Sequence, residues 1–223
     1  AALTARHIPF FIDRRRPVGH HPLVELLRAG LLMAKDEMSQ EAVRPALKTG
    51  LLPVGPVVAD ELENYVLAHN VAGRQAWFTG PWAYPPLLPF ASDAEAPSRY
   101  ETALLARLNA SRERVSDCVR GWLDFAASPE AHDGAAWRDA IHAWLVRLNV
   151  PVTLQRWATQ AGADGDLDQA QEHEQVWRDI SIFLDDLAFS FEGQPLDVGE
   201  LAEILEAGMA GLTLGLVPPT VDQ

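Results

Sequence analysis

The longest regular pattern in the chain lies in its middle. Tyr100, Leu104, Leu108, Ser111, Val115, Val119, Trp122 and Ala126 recur every three or four residues. They form one face of a helix of about 28 residues, with Ser98 placed to cap it. Trp137, Ile141, Trp144, Leu145 and Leu148 make a second stripe. Trp177, Ile180, Leu184, Leu187 and Phe191 make a third. Leu23, Leu27, Leu31 and Ala34 follow His21-Pro22 at helical spacing, and a proline costs a first turn nothing. Ser39 is a candidate N-cap for 40–49, where Pro45 predicts a kink or a fresh start and Gly50 a C-cap. Asp60–Ala68 reads as a helix with Leu62, Tyr65 and Val66 inward. Pro151 ends one helix and opens a short one holding Leu154 and Trp157, before a turn at Gly162–Gly165. Asp197 caps a helix carrying Leu201, Ile204 and Leu205, which Gly208 and Gly211 close.

Two apolar runs have a different period. Ile8–Ile12 and Leu212–Val217 predict one short strand near each end. Residues 73–97 hold Trp77, Phe78, Trp82, Tyr84, Phe90 and five prolines. They predict a long loop whose rings anchor it to the core, with a mobile contact loop as the alternative. The expected fold class is therefore all-α, an irregular bundle of seven to nine helices with a short strand near each terminus. The two strands are expected to lie close together, either paired or joined to a sheet elsewhere.

Composition sharpens this picture. The 223 residues carry 18 Lys and Arg against 31 Asp and Glu, a formal charge of -13. Residues 1–50 are net +3, residues 51–159 net -3, and residues 160–223, where Arg178 is the one base, net -13. A whole-surface nucleic-acid coat is excluded, and the two ends of the chain are expected to face different partners. One cysteine, Cys118, excludes a disulfide framework, a cysteine-based zinc site and a four-cysteine iron–sulfur cluster within the chain. It reads as a small core residue. No apolar run reaches 18 residues, so no membrane-spanning helix is predicted. No secretory leader is read, and the expected compartment is the cytoplasm. The opening Ala1-Ala2-Leu3, without Met, reads as a piece of something larger or a processed chain.

Catalytic signatures are missing. The sequence has no Walker loop, no G-x-G-x-x-G, no G-x-S-x-G and no H-E-x-x-H. His173 between Glu172 and Glu174 reads as part of a solvated acidic face rather than a metal site, and Asp185-Asp186 as a polar edge. His20-His21 lack a third ligand, and helix capping is the preferred role for one of them. The best functional candidate is Arg14-Arg15-Arg16, since guanidinium groups suit phosphates and carboxylates. A solvated turn, or pairing with the acidic C-terminal third, is the alternative.

Specific residues carry a resemblance. Ile8-Pro9-Phe10-Phe11-Ile12-Asp13-Arg14-Arg15-Arg16-Pro17, followed by His20-His21-Pro22-Leu23-Val24-Glu25-Leu26, resembles the bacterial AddB family, one of the two chains of the helicase–nuclease AddAB. Leu47–Leu52, Leu62–Leu67 and Leu216–Gln223 agree with that family in the same order. More distantly, the first segment resembles the passage from motor domain 2A into domain 2B of UvrD-like helicases. The resemblance implies a strand and basic linker over 1–17, a helical 2B-like domain over 18–211, and a strand returning to the motor domain over 212–223. It implies a non-catalytic body serving double-strand-break repair. No cofactor is expected in this chain, while ATP and Mg belong to the parent complex. The implied partners are DNA and the nuclease–helicase AddA, the other chain of AddAB, with no membrane. Arg14, Arg15, Arg16, His20, His21 and Lys48 are the candidate DNA contacts, and no catalytic or metal residue is assigned. The rivals are an independent helical scaffold that binds only protein, and a helical enzyme with a site built from scattered residues.

Overall fold

The structure is a computed structural model and describes residues 15–86, 98–211 and 213–215. Among the described residues nine α-helices dominate: α1 (Pro22–Lys35), α2 (Gln40–Lys48), α3 (Pro56–Ala68), α4 (Arg74–Phe78), α5 (Arg99–Ala126), α6 (Gly134–Arg147), α7 (Val150–Ala163), α8 (Leu167–Ser190) and α9 (Val198–Gly211). Strand is nearly absent among these residues. β1 (Arg15–Pro17) pairs antiparallel with β2 (Thr213–Gly215), and a 3-10 turn at Val18–His20 leads from β1 into α1. The strand expected at Ile8–Ile12 lies outside the described residues, as do Leu212, Leu216 and Val217 of the other. The strands as expected are therefore not supported, and only this three-residue ladder stands near their place.

Capping explains most boundaries. The Ser98 hydroxyl accepts the Glu101 amide while the Glu101 carboxylate accepts the Ser98 amide, which fixes the start of the 28-residue α5. Asp197 and Glu200 make the same reciprocal arrangement at α9. Ser39 caps α2 and Asp133 caps α6. Gly50, at φ +70°, supplies the left-handed residue just past α2.

Helix α1 is the hub of the core and packs on α2, α5 and α9, while α8 lies along α6 and α7. A glycine makes one close contact possible. A Cβ on Gly30 of α1 would stand 2.2 Å from the Trp144 ring of α6. The Trp122 indole N–H donates to the Gly30 carbonyl at 2.8 Å. Trp122 stacks on Trp144 at 5.3 Å and meets Trp137 edge-on at 5.9 Å. Two stripes read from sequence thus converge on one aromatic cluster over Gly30 of α1.

Several expectations need correction. Helix α2 runs through Pro45, so no fresh helix starts there. Proline removes one backbone bond there, and burial of Ala42, Val43, Ala46 and Leu47 holds the helix regardless. Gly208 does not close α9 but lies inside it, where a Cβ would come 2.1 Å from the Phe183 ring of α8. The helix after Pro151 is 14 residues long rather than short. Tyr100 is exposed, and the inward stripe of α5 begins at Leu104. The described part of the aromatic loop is pinned as expected. Trp82 stacks on Tyr65 at 4.7 Å, meets Trp77 edge-on, and its indole donates to the Ala76 carbonyl.

Pro45 is exposed, so its replacement isolates the backbone effect. Pro45→Ala restores an N–H facing the Glu41 carbonyl and is expected to raise stability by roughly 1–2 kcal/mol. The check is a higher urea midpoint at unchanged slope. A lower midpoint would mean that proline fits this helix without strain.

Candidate nucleic-acid interface

The basic N-terminal run enters the fold through β1. Its register sets Arg15 opposite Gly215, Arg16 opposite Leu214 and Pro17 opposite Thr213. Arg14 lies outside the described residues. The following 3-10 turn presents His20 to solvent and turns His21 inward.

His21 is only 3% exposed and caps α1. Its Nδ1 accepts the Leu23 amide at 3.1 Å. A neutral ring with Nδ1 accepting carries its proton on Nε2, which faces His173 Nδ1 at 3.0 Å. Burial, reinforced by the nearby His173, pushes the His21 pKa down to about 4. Burial lowers His173 as well, against an opposing pull from Asp166. Trp157 of α7 covers His173 with ring centroids 5.4 Å apart. His21 therefore leaves the set of surface contacts and takes the capping role preferred for one of the two histidines. His173 corrects another expectation, because it lines the core rather than a solvated acidic face.

Arg28 locks this end of the molecule. Its guanidinium donates to the Gly19 carbonyl at 2.5 Å and to Glu25 at 2.9 Å. It also forks onto both Glu206 oxygens of α9 at 2.7 and 2.9 Å. One side chain thereby joins the 3-10 turn, α1 and α9, with bidentate geometry on the last. Lys48 lies elsewhere, on α2, where its Nζ sits 2.7 Å from Asp60 and 2.5 Å from Glu63. Arg44 shares Glu63 at 3.1 Å. The structure thus brings Arg15, Arg16 and His20 to one end of the bundle and leaves Lys48 in an ion pair on another face. Sequence reasoning missed Arg28 and Glu206 and misread His173, because these pairings span 178 and 152 residues along the chain. Among the described residues no group of three or more His, Cys, Asp or Glu is placed to hold a metal ion. No described helix is long and apolar enough to cross a membrane.

No protein-family model matches the chain. Curated relatives do. It is 42% identical over 217 residues to AddB of the ATP-dependent helicase/deoxyribonuclease of Moorella thermoacetica, covering 97% of this chain. It is 36% identical to the proteins of the same name from Heliobacterium modesticaldum and Pelotomaculum thermopropionicum, again over 97% of the chain. Along this stretch the chain belongs to the AddB family. It spans about 18% of the length of those relatives.

The stretches that carry the AddB likeness are largely packing. In Leu47–Leu52 the side chains of Leu47, Leu51 and Leu52 are buried, and the Thr49 hydroxyl bridges the Ala46 carbonyl and the Leu51 amide. In Leu62–Leu67 the side chains of Leu62, Tyr65 and Val66 are buried. These AddB residues hold α2 and α3 against the core.

Proposed function

We propose that the chain is the helical 2B-like insertion of an AddB polypeptide, a non-catalytic body that positions DNA and contacts a partner protein during double-strand-break processing. The observation that carries this reading is the β1–β2 pair. An insertion leaves and re-enters its host at neighbouring points, and Arg15–Pro17 lies beside Thr213–Gly215. The reading divides the chain into a strand and basic linker over 1–17, the helical 2B-like body over 18–211 and a strand returning to the motor domain over 212–223. The names of the relatives support helicase and nuclease chemistry in a larger assembly acting on DNA. ATP and Mg serve that assembly, AddA is its other chain, and the cytoplasm is its compartment. No residue of this chain is assigned to nucleotide, metal or nuclease chemistry.

DNA would be met by backbone neutralisation without sequence reading. Arg14, Arg15 and Arg16 supply the charge, and His20 is exposed on the turn that follows β1. Lys48 would have to exchange Asp60 and Glu63 for phosphate, so it ranks behind them. In fluorescence anisotropy with a forked duplex, Arg14→Ala/Arg15→Ala/Arg16→Ala is expected to weaken binding. It should also reduce the slope of log K against log salt by roughly 2–3. An unchanged slope, or no salt-sensitive binding by the wild-type chain, overturns the DNA role and leaves a helical scaffold that binds protein alone.

A further inference from the structure

Helix α8 has an acidic outer face that also keeps apolar side chains in water. Helix α8 buries Val176, Ile180, Leu184 and Leu187 against the core. On its other side Ile182 is 53% exposed and Phe189 83% exposed. Seven residues apart, they stand on one ridge about 10 Å long. Beside that ridge a groove of about 390 Å³ runs between α6 and α8, with Trp177, Ser181 and Leu184 in its wall. Four aspartates, Asp139, Asp179, Asp185 and Asp186, surround ridge and groove. Arg138 pairs with Asp139 at 2.7 Å and Asp185 at 2.8 Å, and Arg178 lies 3.5 Å from Asp179. Two bases against four acids leave the face net negative.

We propose that this face of α8 docks a separate protein chain that presents a basic amphipathic helix, its apolar side chains seated on Ile182 and Phe189 and in the Trp177 groove. Spacing, exposure and charge each point to this occupant. Anchors at i and i+7 match one face of a docked helix. A phenylalanine left this exposed is the kind of apolar surface that marks an interaction site. The surplus carboxylates repel nucleic-acid phosphates and attract Lys and Arg, which sets the face apart from the basic end. It would serve a chain so charged whether or not the basic end meets DNA.

The test uses the full 223-residue chain and a fluorescent amidated peptide of about 20 residues, helical, with Leu at i, i+4 and i+7 flanked by Lys and Arg. Saturable binding that weakens with salt is expected. Ile182→Ser and Phe189→Ser should each weaken it at least tenfold while leaving the far-UV circular dichroism unchanged, because both residues are exposed. Asp185→Asn/Asp186→Asn should flatten the salt dependence. Hydrogen-exchange rates should fall on 177–189. The proposal is overturned by no binding, by equal binding of a peptide with Glu in place of Lys and Arg, or by serine variants that bind like wild type. Concentration-dependent self-association abolished by Phe189→Ser overturns it too, because the occupant would then be a second copy.

Discussion

Trp122→Ala is expected to cost about 3–5 kcal/mol of folding stability, the largest effect of any single truncation considered. Trp122 is buried where α1, α5 and α6 meet. It stacks on Trp144, meets Trp137 edge-on and donates its indole proton to the Gly30 carbonyl. The substitution opens a cavity under Trp144, removes that hydrogen bond and leaves the Gly30–Trp144 contact without its cover. For a chain of this size the loss corresponds to a fall of roughly 10 °C in the thermal midpoint. Trp122→Phe keeps a ring in place and should lie between wild type and alanine. A fall of less than about 1 kcal/mol for alanine would show that the aromatic cluster does not anchor the core.

Acidification is expected to produce the second large effect, through His21. Above about pH 6.5 the imidazole is neutral in both folded and unfolded chains, and its full contribution is present. Between about 6.5 and 4 the unfolded ring takes a proton that the buried ring does not. The unfolded state then binds more protons, so stability falls as pH falls, and the loss is complete below about 4. At roughly 1.4 kcal/mol per unit, the cost across that window is about 3 kcal/mol. His173, lowered in the same direction, adds to the slope. His21→Asn retains a side-chain acceptor for the Leu23 amide and removes the titration. Its stability should vary less between pH 7 and 4 than that of wild type, as measured by urea unfolding. Parallel curves for the two proteins would refute this assignment.

The helical framework was legible because its signal is local. The stripes at Leu104–Trp122, Trp137–Leu145 and Ile180–Leu187 follow helix periodicity, and Ser39, Ser98 and Asp197 cap within three residues of themselves. The corrections arise where tertiary neighbours decide. Burial of the residues around Pro45 outweighs one missing backbone bond, and Phe183 fills the space that Gly208 leaves. The β1 segment carries Arg-Arg-Pro, which has no apolar alternation, so its pairing rests on the backbone ladder and leaves no trace in the side-chain pattern. The candidate interface was readable only as composition. The arginine run is visible in the sequence, but nothing near His21 or Arg28 points to His173 or Glu206. Nor does the acidic character of α8 say that Ile182 and Phe189 share its outer ridge.

The clamp at Arg28 has a mechanical consequence. With Arg15 opposite Gly215, a load pulling those two residues apart acts across the ladder, and its few bonds open one after another like a zipper. Resistance then passes to the ion-paired fork between the 3-10 turn and α9. Tension at this neck would meet the three-residue ladder, the Arg28 fork and the packing of α1 on α9 before it reached the aromatic core.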